Sequence, residues 1–118
     1  MESFTPRKKG NPEKIIQQDI EKMMKGLDWF VKRTHGNAAV SGFPDDFTCH
    51  KNYGVRWVEV KLPQMKGSQF TPAQLETFPM LCAKGCGVWV LTGATEEEYK
   101  KLFGPPNWYQ YLSIMKGA

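Results

Sequence analysis

The 118-residue chain contains no apolar run approaching the roughly 20 residues that cross a bilayer, which excludes a membrane-spanning helix and leaves no membrane partner to expect. Its three cysteines, Cys49, Cys82 and Cys86, are an odd number and make no disulfide framework. Cys82 and Cys86 stand four apart, not at the two-residue spacing of common zinc ligand pairs, so buried thiols are expected rather than a zinc site. No basic n-region followed by an apolar h-region opens the chain, and with so few cysteines a reducing cytoplasm is the expected compartment. His35 has no evident acid–base partner and reads as a helix C-terminal dipole cation or a phosphate contact. Internal repeats, low-complexity tracts and a base-reading recognition helix are all missing, the last of which argues against sequence-specific recognition.

What is present is one ordinary globular domain, residues 1–118, with 41% apolar and 24% charged residues. Lys and Arg outnumber Asp and Glu 16 to 12, a formal charge of +4 that favours polyanionic partners. Residues 1–11 read as a loose basic arm, and residues 105–118 as a tail too rich in large apolar side chains to stay free in water, packing on the core or on a partner copy.

Asn11 as cap, Pro12 in the first turn and Glu13 at the dipole's positive end start a helix. Apolar residues from Ile16 to Val31 at three- and four-residue steps predict that it runs to about Lys32. Ala38–Val40 suggests a brief first strand. "DFTCH" and "VRWVEVK", joined by "KNYG", form a hairpin. Thr71, Pro72 and Gly85 bracket a second helix that Pro79 is expected to kink or break. "GVWVL" is a strand covered on both faces, and Thr95 caps a last helix. This order, α-β-β-β-α-β and a further helix, predicts an α/β fold with a mixed sheet flanked by helices.

Strand alternation puts Val55, Trp57, Glu59 and Lys61 on one face, with about 6.6 Å between the backbones of Glu59 and Lys61. If His50 pairs with Val55, Asp46 faces Glu59; one residue tighter, Asp45 does. Either register sets two carboxylates side by side, a repulsion that a hard divalent cation relieves with oxygen ligands and waters while leaving positions open for phosphate oxygens. The adjacent lysine suits an attacking water or the charge that builds on a phosphoryl group. An E-x-K on a strand is more often a cross-strand salt bridge, and Pro-Asp is common turn chemistry, so the signal lies in their ordered combination.

That combination, "GFPDDF…WVEVK" followed by "GSQFTPAQ", resembles the VRR-Nuc family of the PD-(D/E)xK nucleases from about Glu13 to about Leu91. The resemblance implies a restriction-endonuclease-like core and Mg²⁺- or Mn²⁺-dependent phosphodiester hydrolysis. It assigns the aspartate after proline to Asp45, the strand glutamate to Glu59 and the lysine to Lys61, with Asp45, Glu59 and the Val60 carbonyl holding the metal. Asp46 stands where the family usually has an apolar residue. Glu13 matches an early helical acid and, with Gln17 on the same helical line, leans toward the site or serves only the helix dipole. Gln74 matches the family glutamine, contacting DNA or the site, or lying on the surface as an ordinary glutamine.

Arg7, Lys8, Lys9, Lys32, Arg33, Lys51, Lys61 and Lys66 flank this region and suit a backbone-tracking footprint. Similarity to stand-alone phage or virus-type members, and to Holliday-junction resolvases, implies a homodimer acting on branched, flap or junction DNA, in a host cell's cytoplasm if phage-encoded. The competing expectations are a non-catalytic DNA-binding module with the same fold, and an interaction protein whose E-x-K is a salt bridge.

Overall fold

Asn11 opens the first helix by accepting, through its side-chain oxygen, from the N–H groups of Glu13 (2.9 Å) and Lys14 (3.3 Å). Pro12 at the first position completes the start of α1, Pro12–Gly26. The computed structural model in which these elements are seen describes residues 11–34, 41–64 and 68–112.

The helix does not reach Lys32 as its apolar spacing predicted. It stops at Gly26, Asp28 takes a left-handed φ of 77°, and the Trp29 N–H turns back to the Met24 carbonyl (3.0 Å). Phe30–Arg33 then forms β1, paired antiparallel with β2, Asp46–His50, so that Phe30 faces Cys49 and Arg33 faces Asp46. Two ladder-forming apolar residues continued the helical period by coincidence, and cross-strand pairing overrode it. The first strand is therefore Phe30–Arg33, while the expected Ala38–Val40 strand lies outside the described residues.

A tight turn ending at Gly54 (φ 81°) joins β2 to β3, Gly54–Val60. His50 faces Gly54 and Asp46 faces Val58, the tighter of the two registers considered, which sets Asp45 level with Glu59. The chain crosses through α2, Pro72–Ala83, to β4, Val88–Leu91, which lies parallel to β3 with Val60 beside Leu91. The result is a mixed four-stranded sheet in the order β1-β2-β3-β4 with helices on its faces. α2 contains Pro79 and is not broken there, which leaves the kink of the two expected outcomes.

Two cores lie on opposite faces of the sheet. Ile20, Met24 and Trp29 pack on Val58, Val60, Trp89 and Leu91 beneath α1; Phe78 of α2 and Phe70 pack on Val88, Val90 and Trp108. After α3, Glu96–Lys100, two 3₁₀ turns carry the tail back over the sheet. There Asn107 accepts from the Val90 N–H (2.6 Å) and donates to its carbonyl (3.2 Å), occupying the open edge of β4, and Trp108 is buried. The tail packs on its own body as far as Leu112; residues 113–118 lie outside the described residues. No helix among the described residues is long and apolar enough to cross a membrane.

Candidate active site

The alternation of β3 sends Val58 and Val60 into the α1 core and Glu59 to the opposite face, toward α2. A buried carboxylate among valines needs partners. The Asp45 backbone N–H donates to Glu59 Oε1 (3.2 Å), Gln74 Nε2 donates to Oε2 (2.7 Å), and the Lys61 ammonium lies 3.1 Å from Oε2. Asp45 closes the loop between strands by accepting, at Oδ2, from the Val60 N–H (2.7 Å). Asp45, Glu59 and Lys61 thus meet at the end of β3, with the backbone of Val60 between them.

Lys61 is only 3% exposed. It donates to the Gln69 carbonyl (3.1 Å) and Gln74 Oε1 (3.4 Å), and its ammonium lies 5.2 Å from the Phe70 ring centroid. It is a fixed internal cation, not the surface phosphate contact grouped with the other basic residues. Arg33 is likewise engaged, in a two-pronged pair with Glu21 (2.7 and 2.9 Å). Lys32 and Lys51 are exposed, whereas Arg7, Lys8, Lys9, His35 and Lys66 lie outside the described residues.

Gln74 is not the surface residue that a glutamine early in a helix suggests. It is 8% exposed and does two jobs: its side chain accepts from the Thr71 N–H (3.0 Å), completing a capping box, while its amide holds Glu59. Gln17 and Asp46 come together, but on the α1 face, with Gln17 Nε2 3.4 Å from Asp46 Oδ2. Asp46 therefore sits across the sheet from Glu59, beside Glu21, and its buried Oδ1 finds no hydrogen-bond partner. Glu13 accepts from the Ser68 hydroxyl, which itself accepts from the Leu62 N–H (3.1 Å), so this acid braces the chain just past Lys61. Ser68 and Phe70 were missed as individual site residues; the hydroxyl and ring within "GSQF" were the available signal.

Burial, and then the charge of Asp45, push the Glu59 carboxyl up to about 8, although Lys61 and Gln74 oppose the shift. Lys61 does not bring the Glu59 carboxyl back to its ordinary range. The donor set fits a hard divalent ion: two carboxylates and a backbone carbonyl, the remaining positions going to water. Among the described residues no three His, Cys, Asp or Glu side chains gather as metal ligands, so an all-side-chain cage of the zinc kind is not formed there.

A scan of protein-family models finds no match, and no curated protein matches either. Solved structures do. One described as "VRR_NUC domain" superposes with a TM-score of 0.61 at 21% identity, covering 77% of this chain and 94% of its own. A "VRR_NUC domain protein" gives 0.58 at 21% identity, covering 90% and 92%. The chain has the fold of these VRR_NUC domains.

Proposed function

We propose that the chain is a VRR-Nuc nuclease, a Mg²⁺- or Mn²⁺-dependent, structure-selective DNA endonuclease that cuts phosphodiester bonds in branched DNA as a homodimer. The observation that carries the reading is the convergence of Asp45, Glu59 and Lys61 at one end of β3, with Glu59 buried and short of positive charge. The shared fold supports it.

Asp45, Glu59 and the Val60 carbonyl would hold the ion. When bound, it supplies Lewis-acid polarisation of a phosphoryl oxygen and a water of lowered pKa. Gln74 keeps Glu59 aimed by holding Oε2, and the β2–β3 register keeps Asp45 level with it. Lys61, fixed by the Gln69 carbonyl and set over Phe70, orients the attacking water and balances charge developing on the phosphoryl group. Selectivity for branched substrates is supported by size: a domain of 118 residues offers little surface to grip a duplex, and a second copy adds a second cutting centre.

The test is cleavage of four-way junction, flap and linear duplex DNA side by side, with Mg²⁺ and with Mn²⁺. Branched substrates are expected to be cut first, and Lys61→Ala, Asp45→Asn and Glu59→Gln to abolish cutting while DNA binding persists. Absence of cleavage on every substrate with both metals defeats the reading and leaves a DNA-binding module.

A further inference from the structure

Beside the acid pair, the same face of the sheet carries a row of aromatic rings. By alternation Trp57 precedes Glu59 by two residues on one strand face, and Phe43 precedes Asp45 by two in the loop entering β2. Phe43 meets Trp57 (5.9 Å between centroids), Trp57 meets Phe47 (5.2 Å), and Phe47 meets Phe30 (6.2 Å), each contact edge to face. The row crosses β3, β2 and β1 and ends at the two carboxylates.

These rings are not sealed into a core. Phe30 is 57% exposed and Phe43 37%, while Phe47 and Trp57 are half-buried. Nor is Phe43 exposed through looseness: Gly42 presses on α2 so closely that a Cβ would lie 2.7 Å from the Ala73 carbonyl oxygen, and Pro44 is buried. The ring is held out on a clamped loop. Keeping Phe30 and Phe43 wet beside two half-buried rings leaves an apolar patch whose covering by a ligand is favourable.

We propose that this row is a stacking platform for the unpaired bases of single-stranded DNA, so that the preferred substrate has a single-stranded arm next to the cut. The inference rests on the nuclease reading for the position of the cut, and on the rings alone for the binding of bases. Every base has a flat π face, so stacking on rings tolerates any sequence, in keeping with a sequence that carries no recognition-helix signature. Charge agrees: exposed Lys32 pairs with Phe47 across β1 and β2 and so shares this face, and the whole chain carries +4. Continuity decides against a protein occupant. Asp45 is the half-buried member of the acid pair and marks where that site reaches solvent. A second copy or a protein lid seated on Phe43 would close the approach to it.

The experiment measures equilibrium binding in EDTA, with no divalent ion, of three labelled 20-nucleotide ligands to the full chain: oligo(dT), an abasic strand of equal length, and a blunt duplex. Oligo(dT) is expected to bind tighter than the abasic strand. Phe43→Ala should weaken oligo(dT) binding by about five- to a hundredfold and Phe30→Ala by a similar or smaller factor, with the abasic strand moved less than twofold. Phe43→Trp should restore it, which separates stacking from a folding defect. Equal losses on dT and abasic strands, no loss on either, or a dimer that sediments as such in wild type and dissociates in Phe43→Ala and Phe30→Ala would each overturn the platform. Because no metal is present, a chain inert as a nuclease can still pass, and an active nuclease can still fail.

Discussion

Gln74 Nε2 donates to Glu59 Oε2 over 2.7 Å while Gln74 Oε1 accepts from the Thr71 N–H over 3.0 Å, so one amide ties the start of α2 to the acid at the end of β3. Both ends of the amide are used, and neither Ala nor Glu preserves both. Gln74→Ala is expected to cost about 1 kcal/mol through loss of the capping box and to reduce cleavage about 10- to 100-fold through a loosened Glu59. Gln74→Glu keeps the cap acceptor but sets a like charge against Glu59, and should lose more activity than Gln74→Ala while unfolding at a similar or lower temperature. Thermal unfolding beside single-turnover cleavage checks the pair. Wild-type activity in Gln74→Glu, with the loss confined to Gln74→Ala, would show that Gln74 matters only as a cap.

Glu59 sets the pH at which the proposed metal binds. Its carboxyl, pushed up to about 8 by burial and by Asp45, must lose its proton to become a ligand. Metal affinity should therefore rise with pH by up to about tenfold per unit below 8 and level off above it. Calorimetric titration of Mn²⁺ between pH 6 and 9 measures this directly. Glu59→Gln should bind weakly with a flat profile, and a flat profile in the wild type would remove Glu59 from the ligand set.

Much of this site was legible because strand alternation and hairpin pairing are short-range rules. Glu59 and Lys61 on one face follow from a period of two, and only the choice between Asp45 and Asp46 needed the turn geometry, which His50 opposite Gly54 supplies. The helix overrun at Phe30 and Val31 arose because both a 3.6 and a 2.0 period accommodate that stretch, and the deciding partner, β2, is 13 residues away in the register of Arg33 and 19 in that of Phe30. Whether Gln74 met the site or the surface stayed open for a similar reason: a cap residue near a helix start is usually wet, and its burial depends on the parallel crossover that lays α2 beside β3. Asp46 on the far face has no local signal at all beyond the register itself.

Gly42 is where that crossover fixes the Asp45 loop. It has a φ of 87°, and an added Cβ would lie 2.7 Å from both the Ala73 carbonyl oxygen and Thr77 Oγ1. Gly42→Ala is expected to destabilise the fold by about 1–2 kcal/mol from backbone conformation alone, with the clash in addition. Relief of the clash moves the loop off α2 and carries Asp45 with it, so cleavage should fall by more than the lost stability explains. Activity measured well below the variant's unfolding temperature tests this; full activity there would mean that Asp45 is placed by β2 and not by the clamp.

Asp46 makes the opposite kind of prediction, one about stability without the proposed chemistry. Burial and the neighbouring Glu21 push its carboxyl up to about 8, while Gln17 opposes the shift; Glu21 itself is raised by burial but held below its ordinary value by Arg33 together with the hydrogen bond to Asp46. The folded chain thus keeps the Asp46 proton that the unfolded chain gives up near the ordinary aspartate range. Stability tied to this group is full below that range and is lost as pH rises through about 8. Asp46→Asn retains an acceptor for Gln17 and offers a permanent N–H toward Glu21, to which the Asp46 carboxyl can donate only while it keeps its proton. The variant should be more stable than wild type by about 1–3 kcal/mol at pH 8 to 9, and closer to it at pH 5. Thermal unfolding from pH 5 to 9 in EDTA gives the comparison, with the slope due to Glu59 common to both proteins. Parallel curves would show that Asp46 is charged throughout and that its environment is wetter than its 1% exposure implies.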